Sequence, residues 1–95
     1  MENQHRKISG YRELTQAEID LMNDIKAFGQ KLQDLCDRVR THVNDQLRAA
    51  GLDGQEAEAA RLVAASPNMW EAMGRTDLQR GLMQLTRAVA QPTFF

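Results

Sequence analysis

The sequence predicts an all-α protein: a long helix, a short connecting helix and a C-terminal helix forming a hairpin, assembled as a homo-oligomer. Three observations carry this reading. Apolar residues recur at steps of three or four at Met22, Ile25, Phe28, Leu32, Leu35, Val39, Val43 and Leu47, which is helical spacing and not strand alternation. Helix start and stop signals bracket each apolar run. The first helix is also too long for the globule that 95 residues can form.

Residues 1–14 are polar and irregular, with Ser9-Gly10 as a break before Tyr11. Thr15 opens the long helix, predicted over residues 15–50. With Glu18 three positions on it forms a capping box, and Leu14 with Ile19 can form a hydrophobic staple. Gly51 is the expected left-handed stop. Gly29 inside the helix costs only about 1 kcal/mol and is a candidate bend. At 1.5 Å per residue this helix is roughly 54 Å long. A globule of this chain length has a radius of gyration of about 12 Å, so the rest of the chain cannot cover the apolar stripe.

Leu52-Asp53-Gly54 makes a turn, and QEAEAARLVAA over 55–65 favours a short helix. Ser66-Pro67 is a second start signal, with serine as N-cap and proline at the first helical position. The last helix is predicted over 67–90 and is stopped by Pro92. Trp70, Gly74, Leu78, Gly81, Leu85, Ala88 and Val89 share one of its faces. Two glycines on one stripe weaken a helix, and close approach of another backbone or of a ligand would account for them. The whole chain makes one domain.

Composition removes several function classes. Twelve Lys/Arg against thirteen Asp/Glu is too balanced for a general nucleic-acid binder. Cation is nonetheless uneven: Arg6, Lys7 and Arg12 crowd one end and Arg75, Arg80 and Arg87 the last helix, while Asp53, Glu56 and Glu58 make the middle acidic. The single cysteine, Cys36, excludes an intramolecular disulfide and suits a reducing compartment. No apolar run is of membrane-spanning length, and the polar start MENQHRK is no signal peptide, so a cytoplasmic protein is expected.

Catalysis finds no motif: there is no Gly-rich phosphate loop, nucleophile elbow or C-x-x-C pair. His42 with Asp45 has helical spacing, but two ligands do not make a metal site. Asp20 with Asp24, and Asp34 with Asp37, read as wet helix faces. No cofactor is expected. The residues that could hold an anionic, aromatic ligand are different. Tyr11 is an aromatic in a polar, Gly-flanked stretch, and a ring there can stack on a nucleobase for roughly 1–3 kcal/mol per base. Arg12 and Lys26 offer charge to phosphates, and Arg75 with Thr76 offers a fork and a hydroxyl beside Gly74. Bland roles compete for each and are favoured by spacing alone. Tyr11 can pack on a helix, Lys26 can pair with Asp20 or Glu18, and Arg75 with Glu71.

The run Tyr11-Arg12-Glu13-Leu14-Thr15, with Glu18-Ile19-Asp20-Leu21-Met22-Asn23 and Ile25-Lys26, has a counterpart in a closing run Arg75-Thr76-Asp77-Leu78-Gln79-Arg80-Gly81-Leu82-Met83, continuing to Leu85, Arg87-Ala88-Val89 and Pro92. Together they resemble the phage anti-CBASS sponge proteins. The resemblance implies a homo-hexamer that binds cyclic dinucleotides such as cyclic GMP–AMP intact, in the host cytoplasm, so that the effector of cyclic-oligonucleotide defence is never switched on. It gives Tyr11 the base-stacking role and Lys26 the phosphate-binding role. Arg75 and Thr76 match the start of a last-helix motif that in some members holds cyclic trinucleotides. Asp77 and Leu82 depart from that motif, and a carboxylate at Asp77 would repel a phosphate. The competing reading is a non-catalytic helical oligomerisation or adaptor module.

Overall fold

The computed structural model describes residues 12–94. Three helices account for most of them: α1 (Gln16–Ala50), α2 (Glu56–Ala65) and α3 (Pro67–Ala90). The capping box forms as predicted, with the Glu18 N–H donating to Thr15 Oγ1 at 3.3 Å and the Thr15 N–H donating to Glu18 Oε1 at 2.8 Å. α1 continues unbroken through Gly29.

Two end signals work differently from expectation. Gly51 is not left-handed: its φ is −78° and ψ −5°, and α1 unwinds through a tight turn in which Gly51 and Leu52 donate to the carbonyls of Arg48 and Ala49. The positive φ of this turn falls on Gly54, at 84°. Ser66 does not cap α3 with its side chain. It sits in the left-handed region (φ 50°, ψ 52°), donates its N–H to Leu62 O at 2.9 Å and its hydroxyl to Val63 O at 3.2 Å. The hydroxyl is therefore spent on ending α2, while Pro67 starts α3 with the φ its ring imposes.

α3 returns antiparallel along α1. Arg40 faces Glu71, Asp37 faces Arg75, Gly29 faces Leu82, and Arg12 reaches Ala90. α3 comes close to α1 at Gly29, where an added Cβ would lie 3.3 Å from Leu82 Cδ1. The seam on α1 that faces α3 runs through the half-buried Met22, Ile25, Gly29, Leu32 and Cys36 in alternating steps of three and four, and one heptad further on reaches Val43. Phe28, Leu35 and Val39 stand beside it and stay exposed. α2 packs on α1 and buries Leu62.

The resulting rod measures 63 × 23 × 19 Å, with a radius of gyration of 20.3 Å. Among the described residues only Val43, Ala50 and Leu62 are buried, at 6%, 8% and 3% exposure. The chain exposes 7653 Å². A compact monomer of 10.8 kDa would expose about 5,500 Å².

Candidate ligand-binding site

Each candidate anion-binding residue has a distinct position. Tyr11 lies outside the described residues. Arg12, just ahead of the capping box, is held on three sides. Its Nε donates to Ala90 O at 3.2 Å, Nη2 donates to Val89 O at 2.8 Å, and Nη1 and Nη2 together grip the Glu18 carboxylate, Nη1 at 3.0 Å. The Arg12 hydrogen bond, followed by the Thr15 backbone N–H, holds the Glu18 carboxyl down to about 2. Arg12 thus supplies donors to carbonyls that α3 cannot satisfy at its own C-terminus.

Lys26 is exposed on α1 and has no ion-pair partner among the described residues. Both partners that spacing offered it are engaged elsewhere: Glu18 holds Arg12, and Asp20 accepts from Gln16 Nε2 at 2.9 Å. Lys26 therefore has a whole charge to offer.

Arg75 does not. Its Nε donates to Glu71 Oε2 at 2.9 Å and its Nη2 to Asp37 Oδ1 at 3.0 Å. Glu71 also accepts from Arg40 Nε at 2.8 Å, and its side chain is only 7% exposed. The two arginines hold the Glu71 carboxyl below the usual carboxylate range, Arg40 more than Arg75. This network cross-links the helices at the seam, where other turns place apolar residues. The pairing of Arg75 with Glu71 was legible from their spacing. The contributions of Asp37 and Arg40 were not, because they come from the other helix. Thr76 donates its hydroxyl to Ala72 O at 3.0 Å, within its own helix. Asp77 and Arg80 line one shallow hollow with Thr76.

These groups do not converge. Lys26 lies eleven residues beyond Thr15, about 16 Å along α1, and Asp37, which marks the level of Arg75, lies another eleven residues on. His42 is exposed, and no group of metal-ligating side chains forms among the described residues.

What the helices share instead is an apolar face. Phe28 and Leu35 on α1, with Leu78 and Leu85 on α3, rim two adjoining hollows floored by Gly74 and Gly81. A Cβ added at either glycine would meet nothing within 4 Å. Gly74, Leu78, Gly81 and Leu85 of the face predicted for α3 line these hollows, and among the described residues no atom stands within 4 Å of where the glycine Cβ atoms would lie. Trp70, at its far end, is 61% exposed.

Comparison with known proteins fits this fold. Residues 5–90 match the family described as Acb2/Tad1, hairpin domain. A curated relative, Anti-CBASS protein 2 of Pseudomonas phage JBD67, is 44% identical, the alignment covering 97% of each chain. The resemblance read from the two terminal runs of the sequence therefore holds across nearly the whole chain, and the protein belongs to the Acb2/Tad1 hairpin family.

Proposed function

We propose that this protein is a phage anti-CBASS sponge: it binds host cyclic oligonucleotide messengers intact and keeps them from their effector. It is not an enzyme on this reading, and it works in the host cytoplasm where those messengers circulate. Cyclic dinucleotides of the cyclic GMP–AMP type are the ligands, with Tyr11 stacking on a base and Lys26 meeting a phosphate.

The observation that carries this reading is the 44% identity to Anti-CBASS protein 2 over 97% of each chain; Lys26, exposed and unpaired among the described residues, has its charge available for a phosphate. A cyclic dinucleotide presents two bases and two phosphates about an approximate two-fold axis. Neighbouring copies can meet it with one Tyr11 and one Lys26 each. The uncovered face of Phe28, Leu35, Gly74, Leu78, Gly81 and Leu85 supports self-association. So does the excess of about 2,000 Å² over a compact monomer, against about 800 Å² per partner in a standard interface. A hexamer is the assembly we expect. For cyclic trinucleotides the support is thinner: Arg75 already holds two carboxylates, Thr76 is bonded to its own helix, and Asp77 adds negative charge beside them.

The test is retention. Purified protein is mixed with excess cyclic GMP–AMP, filtered free of unbound ligand and denatured, and the released nucleotide is chromatographed. Intact nucleotide from wild type, and little from Tyr11→Ala or Lys26→Ala, is the expected result. Linear products would identify an enzyme. No retained nucleotide, including from a trinucleotide panel, would leave a helical oligomerisation or adaptor module, for which the uncovered apolar face is the favouring observation.

A further inference from the structure

The side of the hairpin that carries Lys26 holds a second feature, a hollow of about 190 Å³ between α1 and α3. Asp37 and Arg75 fix the levels of the two antiparallel helices through their 3.0 Å bond. Gln33 lies one turn before Asp37 and Gln79 one turn after Arg75, so the two side chains stand at the same level on either side of the hollow. One turn further, Gly29 offers bare backbone opposite Leu82. The floor is apolar, made by the half-buried Leu32, Cys36 and Leu82. Both glutamines are exposed, and neither amide has a hydrogen-bond partner among the described residues. Lys26 lies seven residues before Gln33, about 10 Å along the same stripe of α1.

The hollow suits a single ring system. An apolar cavity of about 150 Å³ holds benzene; this one is larger and adds two amides at its rim. A glutamine amide pairs an acceptor with a donor, the pattern that meets adenine bidentately at N6 and N7. Guanine presents acceptors at both O6 and N7 and suits an arginine or lysine instead. Arg75, which also lines the hollow, is already held by Glu71 and Asp37. We propose that the hollow is a base pocket: an adenine of the ligand whose phosphate meets Lys26 lodges over Gly29, and Gln33 and Gln79 are specificity-determining residues that read its edge. The proposal rests on the reading of Lys26 as the phosphate ligand.

Selectivity is the first readout. In equilibrium dialysis wild type should bind cyclic GMP–AMP and cyclic di-AMP more tightly than cyclic di-GMP, by about tenfold or more. Gln33→Leu and Gln79→Leu should each lose about tenfold for the adenine ligands and nothing for cyclic di-GMP, so that the preference disappears. Lys26→Ala should weaken all three alike. Leucine propagates a helix at least as well as glutamine, so thermal melts should barely move. Cys36 is the single cysteine of the chain and gives a readout that needs no cyclic ligand: saturating AMP should slow its alkylation by N-ethylmaleimide several-fold, and GMP should not. Wild-type selectivity in both glutamine variants would overturn the pocket, and so would alkylation of Cys36 at the same rate with and without AMP. Failure of wild type to retain any cyclic dinucleotide would instead overturn the sponge reading, and the AMP result would still decide whether the hollow takes a base.

Discussion

Replacing Gly74 and Gly81 by alanine sets two physical effects of opposite sign against each other. Both lie in the interior of α3, and neither added methyl meets an atom of the protomer within 4 Å. For an isolated protomer each change removes backbone freedom from the unfolded chain and gains about 0.8–1.0 kcal/mol of helix propensity. The sites are seven residues apart, about 10 Å along the axis, so the gains should add to about 2 kcal/mol, a roughly 30-fold shift toward the folded protomer. A second copy seated on this face reverses the sign. There each methyl enters a close backbone contact, and overpacking costs about 1–3 kcal/mol per site. If the contact is two-fold, each site counts twice. The loss then exceeds the propensity gain, and the assembly should dissociate at concentrations where wild type stays associated. Sedimentation velocity and thermal melts across a protein dilution series separate the cases. We expect the double variant to have a lower mass, and a melting temperature that no longer varies with concentration over the range where that of wild type does. A variant of wild-type mass that melts higher at every concentration would refute the assignment of this face to self-association.

Two further predictions test the protomer itself. Leu62 is the single buried residue of α2, and Leu62→Ala should cost about 2–3 kcal/mol, whereas Val63→Ala on the exposed side should cost less than about 0.5 kcal/mol. Denaturant melts and hydrogen exchange of the α2 amides measure both; equal effects would mean that α2 is not held by Leu62. Acid should weaken the hairpin in a defined window. Glu18 and Glu71 both have carboxyls held below their ordinary value, so their stabilisation is fully present above about pH 4.5 and is lost as pH falls toward the folded values, about 2 for Glu18. The melting temperature should be level above pH 5 and fall below about 4.5, less steeply in Glu71→Gln; parallel curves for the two proteins would exclude Glu71 from the effect.

The sequence by itself determined the helices. The Thr15–Glu18 capping box, the Ser66-Pro67 pair, the Pro92 stop and the steps of three and four residues are local signals, set by backbone hydrogen bonding within one turn. All three helices fall where these signals place them. Local signals did not decide which residue would adopt each left-handed conformation. Residue type points to Gly51 as the left-handed stop and to Ser66 as a side-chain cap, whereas the path of the chain between packed helices puts positive φ at Gly54 and Ser66. Nor could periodicity separate the two adjacent stripes of α1. Residues one position apart differ by about 100° around a helix, and the larger Phe28, Leu35 and Val39 continue the same helical spacing beside the seam through Gly29 and Cys36. Only the tertiary structure revealed the partners of the cations. A guanidinium can be a ligand arm or a structural cross-link, and the decision rests on carboxylates and carbonyls that sequence places far away: Asp37 for Arg75, Val89 and Ala90 for Arg12. Lys26, like Lys31 and Arg38, receives no carboxylate from α3 among the described residues. Charge pairing across a hairpin is a long-range property, and it is what divides the cations that hold this fold together, Arg12, Arg40 and Arg75, from those that stay unpaired among the described residues.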